Sequence, residues 1–127
     1  MHTIRTLIGS AILVGFLAHP AEAHHEPAKL GETSIGTVLT DPNGMTLYTF
    51  AGDDVGKSNC YDDCAQKWPP LLFKRGVAQG EFSIIQRNDG TRQWAVRGQP
   101  LYRWTIDKKP GDATGDGVGG VWQVARP

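Results

Sequence analysis

The chain is poor in the residues that most enzyme sites are built from. It has two cysteines and four histidines among 127 residues, and every histidine (His2, His19, His24, His25) lies near the start. Beyond His25 no imidazole is available as a general base, which argues against acid–base catalysis of the usual kind. Neither charge sign is in excess, with Lys+Arg 13 against Asp+Glu 13, so no basic face for nucleic acid is expected. The apolar run at residues 7–18 (LIGSAILVGFLA) falls short of the about 20 residues that a comfortable bilayer span needs.

That short run reads as an export signal. His2 and Arg5 precede it, Pro20 breaks it, and Ala21-Glu22-Ala23 supplies a small-x-small cleavage site, so residues 1–23 are expected to be removed. A buried N-terminal helix is the alternative. Arg5 and Glu22 leave together, so the charge balance survives cleavage. No cysteine follows the run to take a lipid, so the mature chain is expected to be periplasmic or secreted without a membrane anchor. Residues 24–34 are polar and aperiodic, a flexible leader. Residues 35–127 make a single β domain.

Strand signals fill that domain. Asp41-Pro42-Asn43-Gly44 lies between Val38-Leu39-Thr40 and the segment 45–50 as a hairpin turn would. Both faces of 45–50 are partly apolar, so this strand is expected to be covered on both sides. A second hairpin joins 82–86 to 92–96 through Asn88-Asp89-Gly90. Gly98-Gln99-Pro100 turns into Leu101–Trp104, and Val121–Val124 forms a last strand. Between the halves, 61–67 could make a helical turn capped by Asn59 and ended by Pro69-Pro70. The fold class is all-β, an antiparallel sandwich or small barrel.

An internal repeat organises these strands. Shifted by 54 residues, 44–68 falls on 98–122 without a gap, and 6 of 25 positions are identical. Chance supplies about one or two at average composition. The pairs are Gly44/Gly98, Leu47/Leu101, Tyr48/Tyr102, Asp53/Asp107, Asp62/Asp116 and Trp68/Trp122, with Phe50 meeting Trp104. The repeats span about 36–73 and 90–125. Tyr48 and Phe50 lie two apart and share a strand face, as do Tyr102 and Trp104. Buried phenols need hydrogen-bond partners, and Asp53 and Asp107 stand where they can accept such bonds or cap loop amides.

Tyr48-Thr-Phe50-Ala-Gly-Asp53 and Tyr102-Arg-Trp104-Thr-Ile-Asp107 both fit a Tyr-x-aromatic-x-x-Asp pattern. With Cys64-Ala-Gln-Lys-Trp68-Pro69-Pro70-Leu71 and the segment from Gly111-Asp112 to Trp122, the chain resembles the bacterial "secreted repeat of unknown function" family, often described as lipoproteins, over about residues 36–125. The resemblance implies an envelope location and a tandem repeat. It implies no established activity and transfers no catalytic residue. The lipidated cysteine of the lipoprotein members is missing here.

Sites are few. Cys60 and Cys64, in an oxidising compartment, are most simply a local disulfide, with Cu(I) binding by two thiolates as the alternative. His24, first in the mature chain, and His25 could chelate copper. Asp107, Asp112 and Asp116 sit in a Gly-rich loop and offer oxygens to Ca²⁺, although the spacing is not that of an EF-hand and turn formation is the competing use. Of the four tryptophans, one left exposed beside Asp112 or Asp116 could stack on a sugar ring or a partner. The expected function is a non-enzymatic binding or scaffold module without a required cofactor, partnered by a small ligand or an envelope protein. A copper-binding protein is the alternative.

Overall fold

The computed structural model describes residues 26–127. The expected export signal, residues 1–23, and the His24-His25 pair lie outside the described residues. The class is all-β: the described residues form seven short strands in antiparallel sheets, one short α-helix and one 3₁₀ turn at Val118–Gly120. Among the described residues these sheets do not close into a barrel, so of the two architectures expected the barrel is set aside.

Order begins earlier than the composition suggested. β1 (Lys29–Thr33) pairs with β2 (Gly36–Thr40), Lys29 opposite Thr40 and Thr33 opposite Gly36. The leader read as flexible to residue 34 thus contains a strand. Its pattern gave no sign because Leu30 points outward, 67% exposed, and the strand is held by its ladder rather than by an apolar face. Gly31 is required there, since a Cβ would lie 2.5 Å from the Thr40 methyl.

The 41–44 turn forms as expected. The Asp41 carboxylate accepts the amides of Asn43 and Met45, and Gly44 adopts φ 92°. The hairpin beyond it is short. β3 (Tyr48–Phe50) leaves β2 and pairs instead with the chain's last strand. α1 (Asp63–Lys67) follows, started by Asp62 at φ 55° with no side-chain cap. Asn59 is therefore not the cap. Its side-chain amide donates to the Gly52 carbonyl and to Asp54, four residues before the helix begins. The second hairpin agrees with its expected bounds: β4 (Phe82–Gln86), β5 (Arg92–Val96) and β6 (Gln99–Pro100) form one sheet. β7 (Trp122–Val124) ends the chain's strands.

The two copies of the repeat are interlocked. Tyr48 and Tyr102 exchange both backbone bonds, at 2.8 and 3.0 Å, so the Tyr-x-aromatic segments run antiparallel at the centre. Outside them, the end of the second copy pairs with the first: Tyr48 faces Val124 and Phe50 faces Trp122. The end of the first copy pairs with the second: Pro70 bridges Tyr102, and Arg103 N–H donates to the Pro69 carbonyl. The bonds Leu39 N–H to Ala125, Leu47 N–H to Leu39 and Ala125 N–H to Leu47 recur as Trp94 to Leu71, Leu101 to Trp94 and Leu71 to Leu101. Each half thus completes the other's sheet.

Strand alternation sends neighbouring side chains to opposite faces. Leu47 and Leu101 enter one core with Leu39, Trp94 and Val96. Tyr48 and Tyr102 enter another with Val38, Trp68, Trp122 and Val124. The central strands are covered on both sides, and Leu47, Tyr48, Leu101 and Tyr102 are fully buried. Each leucine contributes about 1.5–3 kcal/mol of apolar burial.

Candidate functional site

The repeated aromatics and aspartates meet in the second core. Tyr48 donates to Asp107 Oδ2 at 2.6 Å, and Tyr102 donates to Asp53 Oδ2 at 2.6 Å. The pairing is crosswise: each copy's carboxylate serves the other copy's phenol. Each aspartate also caps its own loop with Oδ1. Asp53 accepts the Asn59 amide, and Asp107 accepts the amide and hydroxyl of Thr114. Both uses anticipated for these aspartates are therefore realised together.

The phenol oxygens are further engaged. Tyr48 accepts the Gly115 amide at 3.1 Å. Tyr102 spends its one proton on Asp53, so the Ser58 hydroxyl 2.7 Å away must donate to it. Burial, reinforced by the carboxylate each one faces, pushes both phenols above their ordinary pKa. They stay protonated. Burial likewise raises Asp53, against hydrogen bonds from Tyr102 and Asn59 that lower it.

Four rings form a continuous row: Trp104, Trp68, Trp122, Phe50. Successive centroids are 3.8, 3.8 and 4.4 Å apart, and the Trp68 and Trp122 planes lie within 1° of each other. The row is symmetric about its midpoint, with Tyr48 edge-on to Trp68 at 5.3 Å and Tyr102 edge-on to Trp122 at 5.2 Å. The eight repeated residues Tyr48, Phe50, Asp53, Trp68, Tyr102, Trp104, Asp107 and Trp122 are thus one cluster. No tryptophan stands exposed as a stacking platform: Trp68, Trp94 and Trp122 are buried and Trp104 is half-buried. The expectation of an exposed ring is corrected, because the rings satisfy one another. Trp104 Nε1 is buried and has no hydrogen-bond partner.

Polar residues that the sequence did not single out complete the site. Arg87 is 3% exposed; it donates to Ser58, Gln93 and the Cys60 carbonyl, and lies over the Tyr61 ring. Gln93 donates to the Leu101 carbonyl. Arg87 and Gln93 flank a well-signalled turn and strand, and only a polar residue inside an otherwise apolar strand hinted at Gln93.

Cys60 and Cys64 are joined in a disulfide with Cα atoms 5.2 Å apart, which removes them as thiolate ligands. Asp107, Asp112 and Asp116 do not converge. Asp112 accepts the amides of Lys108 and Lys109, which hold its carboxyl below the usual range, and Asp116 accepts the Val124 amide. Each closes a turn. Among the described residues no group of three His, Cys, Asp or Glu side chains is placed to hold a metal ion. Asp62 and Asp116 play unrelated parts, since Asp62 makes no cap bond. Among the described residues, no helix is long and apolar enough to cross a membrane.

A cleft of about 220 Å³ opens beside the end of the ring row, lined by Met45, Thr46, Pro69, Arg103, Trp104, Thr105 and Asp107. Arg103 is half in solvent, with Asp41 3.8 Å away.

These features define a tandem-repeat β protein whose two copies share one aromatic interior. Residues 29–72 and 83–126 each match the family described as a secreted repeat of unknown function, and the chain belongs to that family. The two matched segments are offset by the same 54 residues as the motif (83 − 29). The family's description as secreted agrees with export. No curated protein and no solved structure matches significantly.

Proposed function

We propose that the protein is an exported, non-enzymatic binding module whose ligand site is the cleft beside Trp104. The observation that carries this reading is where the copies differ. They agree at the Tyr–Asp pairs and at the stacked indoles, which serve the interior. At the cleft the second copy has Arg103, Trp104 and Thr105, where the first has Thr49, Phe50 and Ala51. The residues that diverge are a cation, a larger ring and a hydroxyl, the groups that orient a small partly apolar molecule with an acidic end. The motif carboxylates support a non-catalytic role, since Asp53 and Asp107 are each engaged by a phenol and by loop donors.

Titrating the full mature chain with aromatic carboxylates, naphthoate first, while recording amide chemical shifts tests the reading. Shifts clustered at 45–46, 69 and 103–107, weakened about tenfold or more in Arg103→Gln, are expected from loss of a charge-assisted bond of about 1.5–3 kcal/mol. No shift in those residues with any such acid would retire the cleft as the site.

A second reading, copper capture, rests on His24 becoming the terminal residue after cleavage behind Ala23, with His25 beside it. With the cysteines oxidised it depends on the terminal amine and those two rings. Cu(II) affinity that disappears when the mature N-terminus is acetylated is the result this reading requires.

A further inference from the structure

Independently of any ligand in the cleft, we propose that the stacked indoles are a one-electron relay leading from the Trp104 edge to the two Tyr–Asp pairs. Three indoles lie in van der Waals contact in one row, and only Trp104, at its end, is half-buried rather than buried. Indole gives up an electron more readily than benzene, so Phe50 at the far end takes no part and oxidation starts at Trp104. A radical oxidant met outside the cytoplasm, such as an oxygen-centred radical, gains the electron and leaves Trp104 as a radical cation. That cation has no acceptor for its Nε1 proton. It therefore remains protonated and strongly oxidising, and recovers an electron from Trp68, which can recover one from Trp122.

The row ends on phenols able to complete the transfer. A neutral tyrosine is oxidised at moderate potential only if its proton leaves with the electron. Tyr48 is edge-on to Trp68 and donates its proton to Asp107 over an O···O distance of 2.6 Å; Tyr102 is edge-on to Trp122 and donates to Asp53 over 2.6 Å. Either phenol passes one electron to the neighbouring indole and its proton to the carboxylate. The products are a neutral tyrosyl radical and a carboxylic acid, with every indole restored. Any buried phenol needs a hydrogen-bond acceptor; here each acceptor is a carboxylate able to take the proton outright, and each phenol touches an indole of the row.

The test uses the full mature chain carrying Tyr61→Phe, which removes the remaining tyrosine, with photogenerated ruthenium(III) tris-bipyridine as the oxidant. Transient absorption should show a tryptophan radical replaced by a tyrosyl radical, slowed in D₂O, and freeze-trapped samples should give a tyrosyl EPR signal. Trp68→Phe, verified as folded by near-UV circular dichroism, should leave the radical on tryptophan. Should that variant not fold, Tyr48→Phe and Tyr102→Phe serve instead: each should lower the tyrosyl yield and the pair should abolish it. A tyrosyl yield unchanged in Trp68→Phe, or unchanged by loss of either phenol, overturns the relay. So does a radical that never leaves tryptophan in the Tyr61→Phe parent.

Discussion

At the scale of single residues, the crossed Tyr–Asp bonds are unequal. Asp107 is 6% exposed, whereas Asp53 is half-buried and can exchange a lost partner for water. Tyr48→Phe strips a donor from a buried carboxylate and should cost about 1–3 kcal/mol, with Tyr102→Phe costing less. Urea unfolding of both variants, and of each with its aspartate changed to asparagine, measures the coupling. Equal losses would show that Asp53 is as dry as Asp107.

Asp53 also sets a pH dependence. Its carboxyl is raised in the folded state, so the native protein binds that proton more tightly than the unfolded chain. The contribution is fully present below the unfolded carboxylate range and is lost as pH rises through the folded value. Acidifying from neutrality should therefore stabilise the wild type relative to Asp53→Asn, which cannot titrate. Melting temperatures of the two across that range check the sign. Asp112 works in the opposite direction, its contribution being lost as pH falls through its lowered value.

At the scale of elements, the two loops after the motif solve one problem differently. Both are capped by their motif aspartate, Asp53 or Asp107; the first is further tied by Cys60–Cys64 and Arg87, the second by Asp112 and Asp116. The disulfide closes few residues, so reduction should cost only about 2 kcal/mol and leave the fold cooperative. Denaturation with and without reductant measures this; global unfolding on reduction would give the staple a larger part. In the second loop Gly115 lies against the row, and a Cβ there would come 2.8 Å from Trp68 and 2.9 Å from Tyr48. Gly115→Ala should cost about 1–3 kcal/mol by overpacking, read as a lower urea midpoint.

Much of this scale was legible beforehand. Turn residues at 41–44 and 88–90 located both hairpins, and the shifted alignment found all eight members of the cluster. β1 was hidden because Gly31 and Leu30 break the apolar alternation. Arg87 and Ser58 were hidden because they lack counterparts in the other copy, and their contacts join segments far apart in sequence. Periodicity announces that a segment is a strand but not which strand it will pair with, so the exchange of strands between copies could not be read.

At the scale of the whole molecule, each copy keeps a hairpin of its own, but the central strands pair only across the copies. Segments 29–72 and 83–126 made separately should each lack stable structure, while an equimolar mixture should recover β-sheet circular dichroism and dispersed amide signals. A half that folds alone would contradict the interlocking.

The exchanged strands also bear on how such a chain could arise. A single unit of 44 residues, cut from this arrangement, leaves its Tyr-x-aromatic strand without either neighbour and its terminal strand without a home. Such a unit could have been ordered only as a symmetric pair, its stability tied to how much of it was present. Joining two units through residues 73–82 makes that meeting intramolecular and frees it from dilution, a condition any exported protein encounters. Two joined units no longer have to be identical, and beside the cleft they are not: residues 103–105 of the second copy differ from 49–51 of the first.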